Sequence, residues 1–293
     1  MNVLSHVLVT NLARVYGGVT RSSFALMSTS SAVHRAAIFL HGWGGKPHKT
    51  WRRFQDLILD EPAWVDTDAY FLGYDSVGDE LSLSADHLTG FLRLVCPRVP
   101  ERLLADTFRD TTYPIRTAEQ DYDELMLLGH SAGGVVIRLA VLDDLQRVAH
   151  GDAPAAEGLL AAARLRLYAP ALSGERIAGL RGRIINAVGF SGLSALVRGG
   201  SPSAQELAQS SQLLTALRDD TTYFAGQQPD VHALRAQILW AHHDDVVTGR
   251  GYRHDAAWRA GDTSHSSVCK PSTVSSPSMV FAHTGCVPGG QRA

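Results

Sequence analysis

Gly129-His130-Ser131-Ala132-Gly133 follows the apolar run ELMLL without a gap and leads straight into the apolar stretch VVIRLAVL. Five letters of this kind occur by chance, so the flanking pattern carries the inference. A strand that turns directly into a helix forces the central residue into a strained conformation, and glycines two places before and after it remove the Cβ atoms that would clash. Ser131 then stands at the carboxyl end of a strand and the amino end of a helix, where the helix dipole favours developing negative charge. A hydroxyl in that place is a candidate nucleophile. A second stretch, His41-Gly42-Trp43-Gly44-Gly45, ends another apolar run, AAIFL. Its glycines leave backbone N–H groups uncrowded, able to face an oxyanion. The expected pair of donors is the N–H of Trp43 and that of Ala132, the residue after the serine. His41 itself suits a buried hydrogen bond better than a catalytic role.

The elements that must position these residues alternate. Apolar runs at 36–41, 69–74, 124–130, 165–170 and 237–242 predict five strands, and helical patterns fall at 50–60, 84–95 and after Ser131. Strands separated by helices make βαβ units, and continuous apolar strands mean a parallel sheet covered on both faces. The fold class is therefore α/β: a mostly parallel central sheet with helices on both faces and a helical insertion between late strands. That insertion, 175–226, pairs an apolar, Gly-rich half with a segment in which Ser203 and Glu206 form a capping box ahead of Leu207, Leu214 and Leu217. It reads as a lid or cap, or as helices that simply cover the sheet. The ends read differently. Residues 1–32 are expected to be a poorly ordered extension, 33–271 the folded domain and 272–293 a flexible tail, since Ser, Thr, Pro and Gly dominate there without a period.

Composition narrows the class further. With 293 residues, 27 Lys plus Arg against 29 Asp plus Glu, a net charge of −2 and 45% hydrophobic residues, the chain is neither disordered throughout nor a basic nucleic-acid binder. Lys46, Lys49 and Lys270 are its only lysines, which argues against a polybasic patch. Cys96, Cys269 and Cys286 are too few and too scattered for a disulfide framework or a zinc site and favour a reduced, cytoplasmic setting. No apolar run is long enough to span a bilayer, while contact with a membrane surface stays open. No metal-binding or phosphate-loop pattern occurs, so neither a cofactor nor a metal is expected. Oligomeric state is not legible.

With FLHGWGG (39–45), LLGHSAGGVVIR (127–138), the spacing of SAQEL before LLTALR (213–218), HHDDVV and SHSSVCKP, the chain resembles the α/β-hydrolase superfamily. Within it, the chain is similar to lipase-like serine esterases that include GPI-inositol-deacylase-like proteins. The resemblance covers roughly residues 33–271. Where the family commonly has Pro-His after the fourth of these strands, this chain has Pro170-Ala171. The resemblance implies a nucleophile elbow at Ser131, an acid and then a histidine later in the chain. After QILWAHH the acid is Asp244, with Asp245 and Glu175 as alternatives. The base is His265 in SHSSVCKP; His254, in a charged stretch read as a solvated helix face, and His283, in the tail, are the other candidates. His242 and His243 read as loop-lining residues.

Together these imply a Ser131-His265-Asp244 triad cleaving carboxylic esters, with a small-molecule or lipid-like ester as substrate and an acyl-enzyme intermediate. Thioester or amide hydrolysis by the same triad, and a hydrolase fold used only for binding, are the alternatives.

Overall fold

A computed structural model describes residues 5–10, 12–108, 111–117, 121–150, 160–173, 201–208, 211–247, 251–290 and 292. The N-terminal segment corrects the expectation of a poorly ordered extension: β1 (His6–Val9), α1 (Leu12–Val15) and β2 (Phe24–Ser28) are built into the sheet. All five side chains of β2 are buried, and Phe24 stacks on Phe71 with centroids 4.7 Å apart. Four apolar residues amid serines and threonines are too short a run for periodicity to register.

The expected strands then appear in order. β3 (Arg35–Leu40) is followed by two short helices, α2 (Pro47–Thr50) and α3 (Phe54–Asp60), in place of the single helix expected at 50–60. β4 (Thr67–Leu72) leads to α4 (Leu81–Val95), then to a hairpin of β5 (Ala105–Phe108) and β6 (Thr111–Pro114). β7 (Glu124–His130) leads into α5 (Ala132–His150), and β8 (Arg164–Tyr168) follows. Of the expected insertion, residues 175–200 lie outside the described residues. The rest forms α6 (Pro202–Glu206) and α7 (Gln212–Gln227). The capping box falls elsewhere than expected: Ser201, not Ser203, accepts a helix N–H, from Ala204, because Pro202 occupies the first helical turn. β9 (Gln237–His243) pairs in parallel with β10 (Ala256–Ser264), a strand where a solvated helix face was expected. Finally α8 (Pro277–Thr284) replaces the expected flexible tail. Its Ser276, Pro277 and left-handed Gly285 (φ 75°) are ordinary helix punctuation, masked by the serine-rich setting.

The sheet has eight strands in the order β1-β2-β4-β3-β7-β8-β9-β10. Adjacent strands from β4 to β10 are parallel and β2 runs against them, so the carboxyl ends of β3, β7, β8 and β9 share one edge. On one face Phe39 stacks on Phe71 at 4.5 Å, with Trp51, Phe54 and Trp64 around it, and Phe281 of α8 meets Tyr168 edge-on at 5.2 Å. On the other, Phe91 of α4 meets Tyr70 at 5.5 Å. Aromatic burial on this scale dominates the stability of the fold.

Two buried charges tie distant elements together. Asp68 accepts the Ser28 N–H at 2.8 Å and bonds Arg116 and Tyr122, joining β2 to the start of β4. Arg138 of α5 meets Asp255, just ahead of β10, at 2.5 Å with both side chains 1% exposed. Asp255 also accepts the N–H groups of Ala236 and Tyr252, so its charge is held by three donors.

A chain begun at Met27 loses β1 and half of β2. Burial of Val9, Phe24 and Leu26 is worth about 2 kcal/mol each, against a total of about 5–15 kcal/mol for a typical domain. The truncated protein is expected to be insoluble, or to unfold at a much lower urea concentration; an unchanged midpoint would show that the antiparallel edge is dispensable.

Candidate active site

Ser131 sits between β7 and α5 with φ 53°, a conformation that costs a residue bearing a side chain about 1–3 kcal/mol. Its N–H donates to the Tyr168 carbonyl at 3.0 Å and its carbonyl accepts from Gly134 (3.0 Å) and Ala171 (3.2 Å), which hold the turn closed. The glycines on either side are sterically required. A Cβ on Gly129 would lie 2.8 Å from the Gly134 nitrogen, and one on Gly133 would lie 2.6 Å from the His41 oxygen.

The turn after β3 lies against this serine, since a Cβ on Gly42 would approach the Ser131 Cβ to 2.8 Å. Gly44, at φ 63°, takes the left-handed position of the turn, whose Gly45 N–H returns to the Gly42 carbonyl at 3.0 Å. Gly44 N–H donates to Ser76 Oγ at 3.0 Å. Trp43 N–H has no protein acceptor among the described residues. His41 behaves as a structural residue. Its Nδ1 bonds the Gly42 carbonyl at 2.8 Å, its ring stacks on Tyr74 at 4.5 Å, and burial pulls its pKa down to about 4, so it is neutral.

Asp244 follows β9 and His265 follows β10, and parallel pairing of those strands brings the two together. His265 Nδ1 lies 3.0 and 2.8 Å from the two carboxylate oxygens of Asp244. Burial alone raises the Asp244 pKa; the hydrogen bond and charge of His265, with the N–H groups of Val247 and Val246, outweigh it and hold the carboxyl below its usual range. Asp245 is exposed, as are His242 and His243. His254 lies in the turn before β10, and His283 on α8 has its ring 6.5 Å from that of Trp64. Glu175 lies outside the described residues.

Sequence reasoning missed two contributors. His130 Nε2 donates to the main-chain carbonyl of His265 at 2.8 Å, with the two rings 5.0 Å apart. The residue before the serine thus holds the loop that carries the histidine. No motif letter signals this, because the variable position of the turn acquires this partner from a loop 135 residues away. Ser203 of α6 is the other: its Oγ accepts from Trp43 Nε1 at 3.1 Å and donates to the Ser76 carbonyl at 3.0 Å. Glu206, one turn on, accepts the Leu81 N–H at 2.6 Å and so caps α4 from outside, and burial raises its pKa.

A buried imidazole bonded to a carboxylate on one nitrogen can take and return a proton on the other. Among the described residues no three His, Cys, Asp or Glu side chains converge as a metal site, and no helix is long and apolar enough to cross a membrane.

No protein-family model and no curated protein matches the sequence. Among solved structures the chain is similar to the mature form of the lipase BlEst2 of Bacillus licheniformis, with a TM-score of 0.51 at 15% identity over 90% of this chain and 98% of that one. It is also similar to lipase B of Aspergillus fumigatus, with a TM-score of 0.49 at 11% identity over 83% of this chain and 51% of the other. Carboxyl esterase 2 of the mycorrhizal fungus Tuber melanosporum gives 0.48 at 14% identity, over 90% and 80%. Likeness at such identities speaks to architecture only. The strand order, the reversed second strand and the similarity to the first of these structures agree: the chain has the α/β-hydrolase fold.

Proposed function

We propose that the protein is a serine hydrolase that cleaves carboxylic esters through an acyl-enzyme. The observation that carries this reading is the buried Asp244–His265 pair tethered through His130 to the residue before Ser131. With Nδ1–H donated to Asp244, the basic lone pair of His265 is on Nε2. Ser131 Oγ attacks the ester carbonyl carbon as Nε2 takes its proton, and the N–H groups of Trp43 and Ala132 hold the tetrahedral oxyanion. Collapse breaks the bond to the alcohol oxygen, which leaves with the proton from His265. Water then attacks the acyl-enzyme, giving its proton to His265, and the acid departs as Ser131 is reprotonated. A small-molecule or lipid-like ester is the substrate class of this reading, and the chemistry calls for no cofactor.

Three measurements test the reading. A fluorophosphonate is expected to label the folded wild type and not Ser131→Ala, whose turnover of chromogenic esters falls about 10⁶-fold. Absence of labelling in the wild type would favour a binding role, and labelling with activity on thioesters or amides alone would move the substrate class.

Asp244→Asn is expected to lower kcat about 10⁴-fold by offering His265 the wrong tautomer, while Asp245→Asn stays within a few-fold of wild type. The reverse ranking would move the acid by one residue.

His130→Ala is expected to lower kcat roughly tenfold, the worth of one hydrogen bond to the loop, with KM little changed. His130→Gln, which keeps a donor near Nε2, should recover part of the loss. Equal effects of the two variants on kcat, or an effect on KM alone, would deny His130 its positioning role.

A further inference from the structure

Towards the amino-terminal edge of the sheet, on the far side of β7 and β8 from the turn at Ser131, a cavity of about 530 Å³ opens beside the starts of β7, β8 and β9. Its lining includes Arg164, Arg166, His34, His232 and Glu124. Arg166 is 1% exposed, yet its Nε and Nη1 are buried without a hydrogen-bond partner. Arg138 also has Nε and Nη1 unpartnered, but it pairs with Asp255, and Arg166 has no such carboxylate among the described residues. A buried guanidinium normally has every donor occupied, because leaving a charge dry and unpaired costs several kcal/mol.

Its neighbours do not supply the missing acceptors. Of the two acidic lining residues, Glu124 is already engaged by Arg35 at 2.9 Å and by Arg164 at 3.2 Å, and Asp123 is exposed and forms no ion pair with Arg166. Arg235, also on the lining, is turned to the carbonyl oxygens of Pro229 and Ala225. The guanidinium rests against Gly285, where an ideal Cβ would come within 2.6 Å of its Cζ. That places it beside the carboxyl end of α8, whose dipole offsets part of the charge without providing a bond. Burial lowers the Arg166 pKa to about 10, so the side chain stays charged at neutral pH.

We propose that this cavity binds a small oxyanion, a carboxylate or phosphate group gripped by the Arg166 guanidinium with Arg164 at its rim. A planar fork of N–H donors matches two oxygens of either group, and a buried fork loses little to solvent screening. The site is separate from the Ser131 chemistry and does not depend on it.

The test is titration of the full-length protein with inorganic phosphate and, separately, with acetate, at constant ionic strength in chloride, read by calorimetry and by thermal denaturation. Saturable binding with a matching rise in Tm is expected for at least one of them, and the anion that binds identifies the source. Ser131→Ala should bind equally well. Arg166→Met should lower affinity tenfold or more, as expected for lost charged hydrogen bonds, and Arg164→Gln several-fold. Absence of saturable binding by either anion would overturn the proposal, as would binding unaltered in Arg166→Met or lost in Ser131→Ala. Should Arg166→Met fail to fold, Arg164→Gln decides, and undiminished affinity in that variant overturns it.

Discussion

The turn from β7 into α5 leaves no room for a Cβ at Gly129 or Gly133, on either side of Ser131, and the surrounding structure is built around that restriction. The end of β3 presses so closely on the start of α5 that Gly133 meets the carbonyl oxygens of Leu40 and His41, and Gly42 meets Ser131 itself. Such proximity is reached only when β3 and β7 are adjacent, in register and parallel, as they are from Arg35 opposite Glu124 to Leu40 opposite Gly129. The left-handed backbone at Ser131 is a local cost of a few kcal/mol at most. It is offset by the aromatic packing on one face of the sheet and the α4–α5 layer on the other, both of which require this same strand order.

The second requirement is that residues far apart in the chain arrive at one edge. Asp244 and His265 are carried there by β9 and β10, and β10 is an edge strand with few neighbours of its own. Two interactions attach it to the helix that starts at Ser131. Arg138 and Asp255 join α5 to the beginning of β10, and His130 joins the turn to the loop at its end. An imidazole must be held within a few tenths of an ångström to work as a base. Anchoring the strand at both ends does so without a large contact area.

The two edges of the sheet differ in how they treat charge. At the carboxyl edge the buried acid is fully engaged: Asp244 receives His265 and two amide N–H groups, and its pKa falls despite burial. At the amino edge Asp68 is satisfied by Arg116, Tyr122 and an amide, whereas Arg166 holds its charge without a partner. The contrast between completed and incomplete charge sites within one molecule draws attention to the cavity beside Arg166. Above the carboxyl edge, Ser203 and Glu206 fasten α6 to Trp43 and to the start of α4, so the described part of the insertion is bonded to the turn that supplies a candidate oxyanion donor.

Read alone, the sequence determined the features that repeat or punctuate. Five apolar runs marked five of the eight sheet strands, and the glycines around Ser131 and Trp43 marked two tight turns. It also held Asp244 and His265 as candidates, through resemblance to a known pattern. Short or camouflaged elements escaped it: β2 and α8 lie in serine-rich segments where a few apolar residues make no period, and β10 carries charges that mimic a solvated helix. The bond of Asp244 to His265 beside an exposed Asp245, the grip of His130 on the His265 carbonyl, the docking of Ser203 on Trp43 and the lack of a carboxylate partner for Arg166 belong to the tertiary structure alone. Each depends on distances between residues remote in sequence, and a single chain's residue pattern records local preference but not which distant backbone will lie 3 Å away.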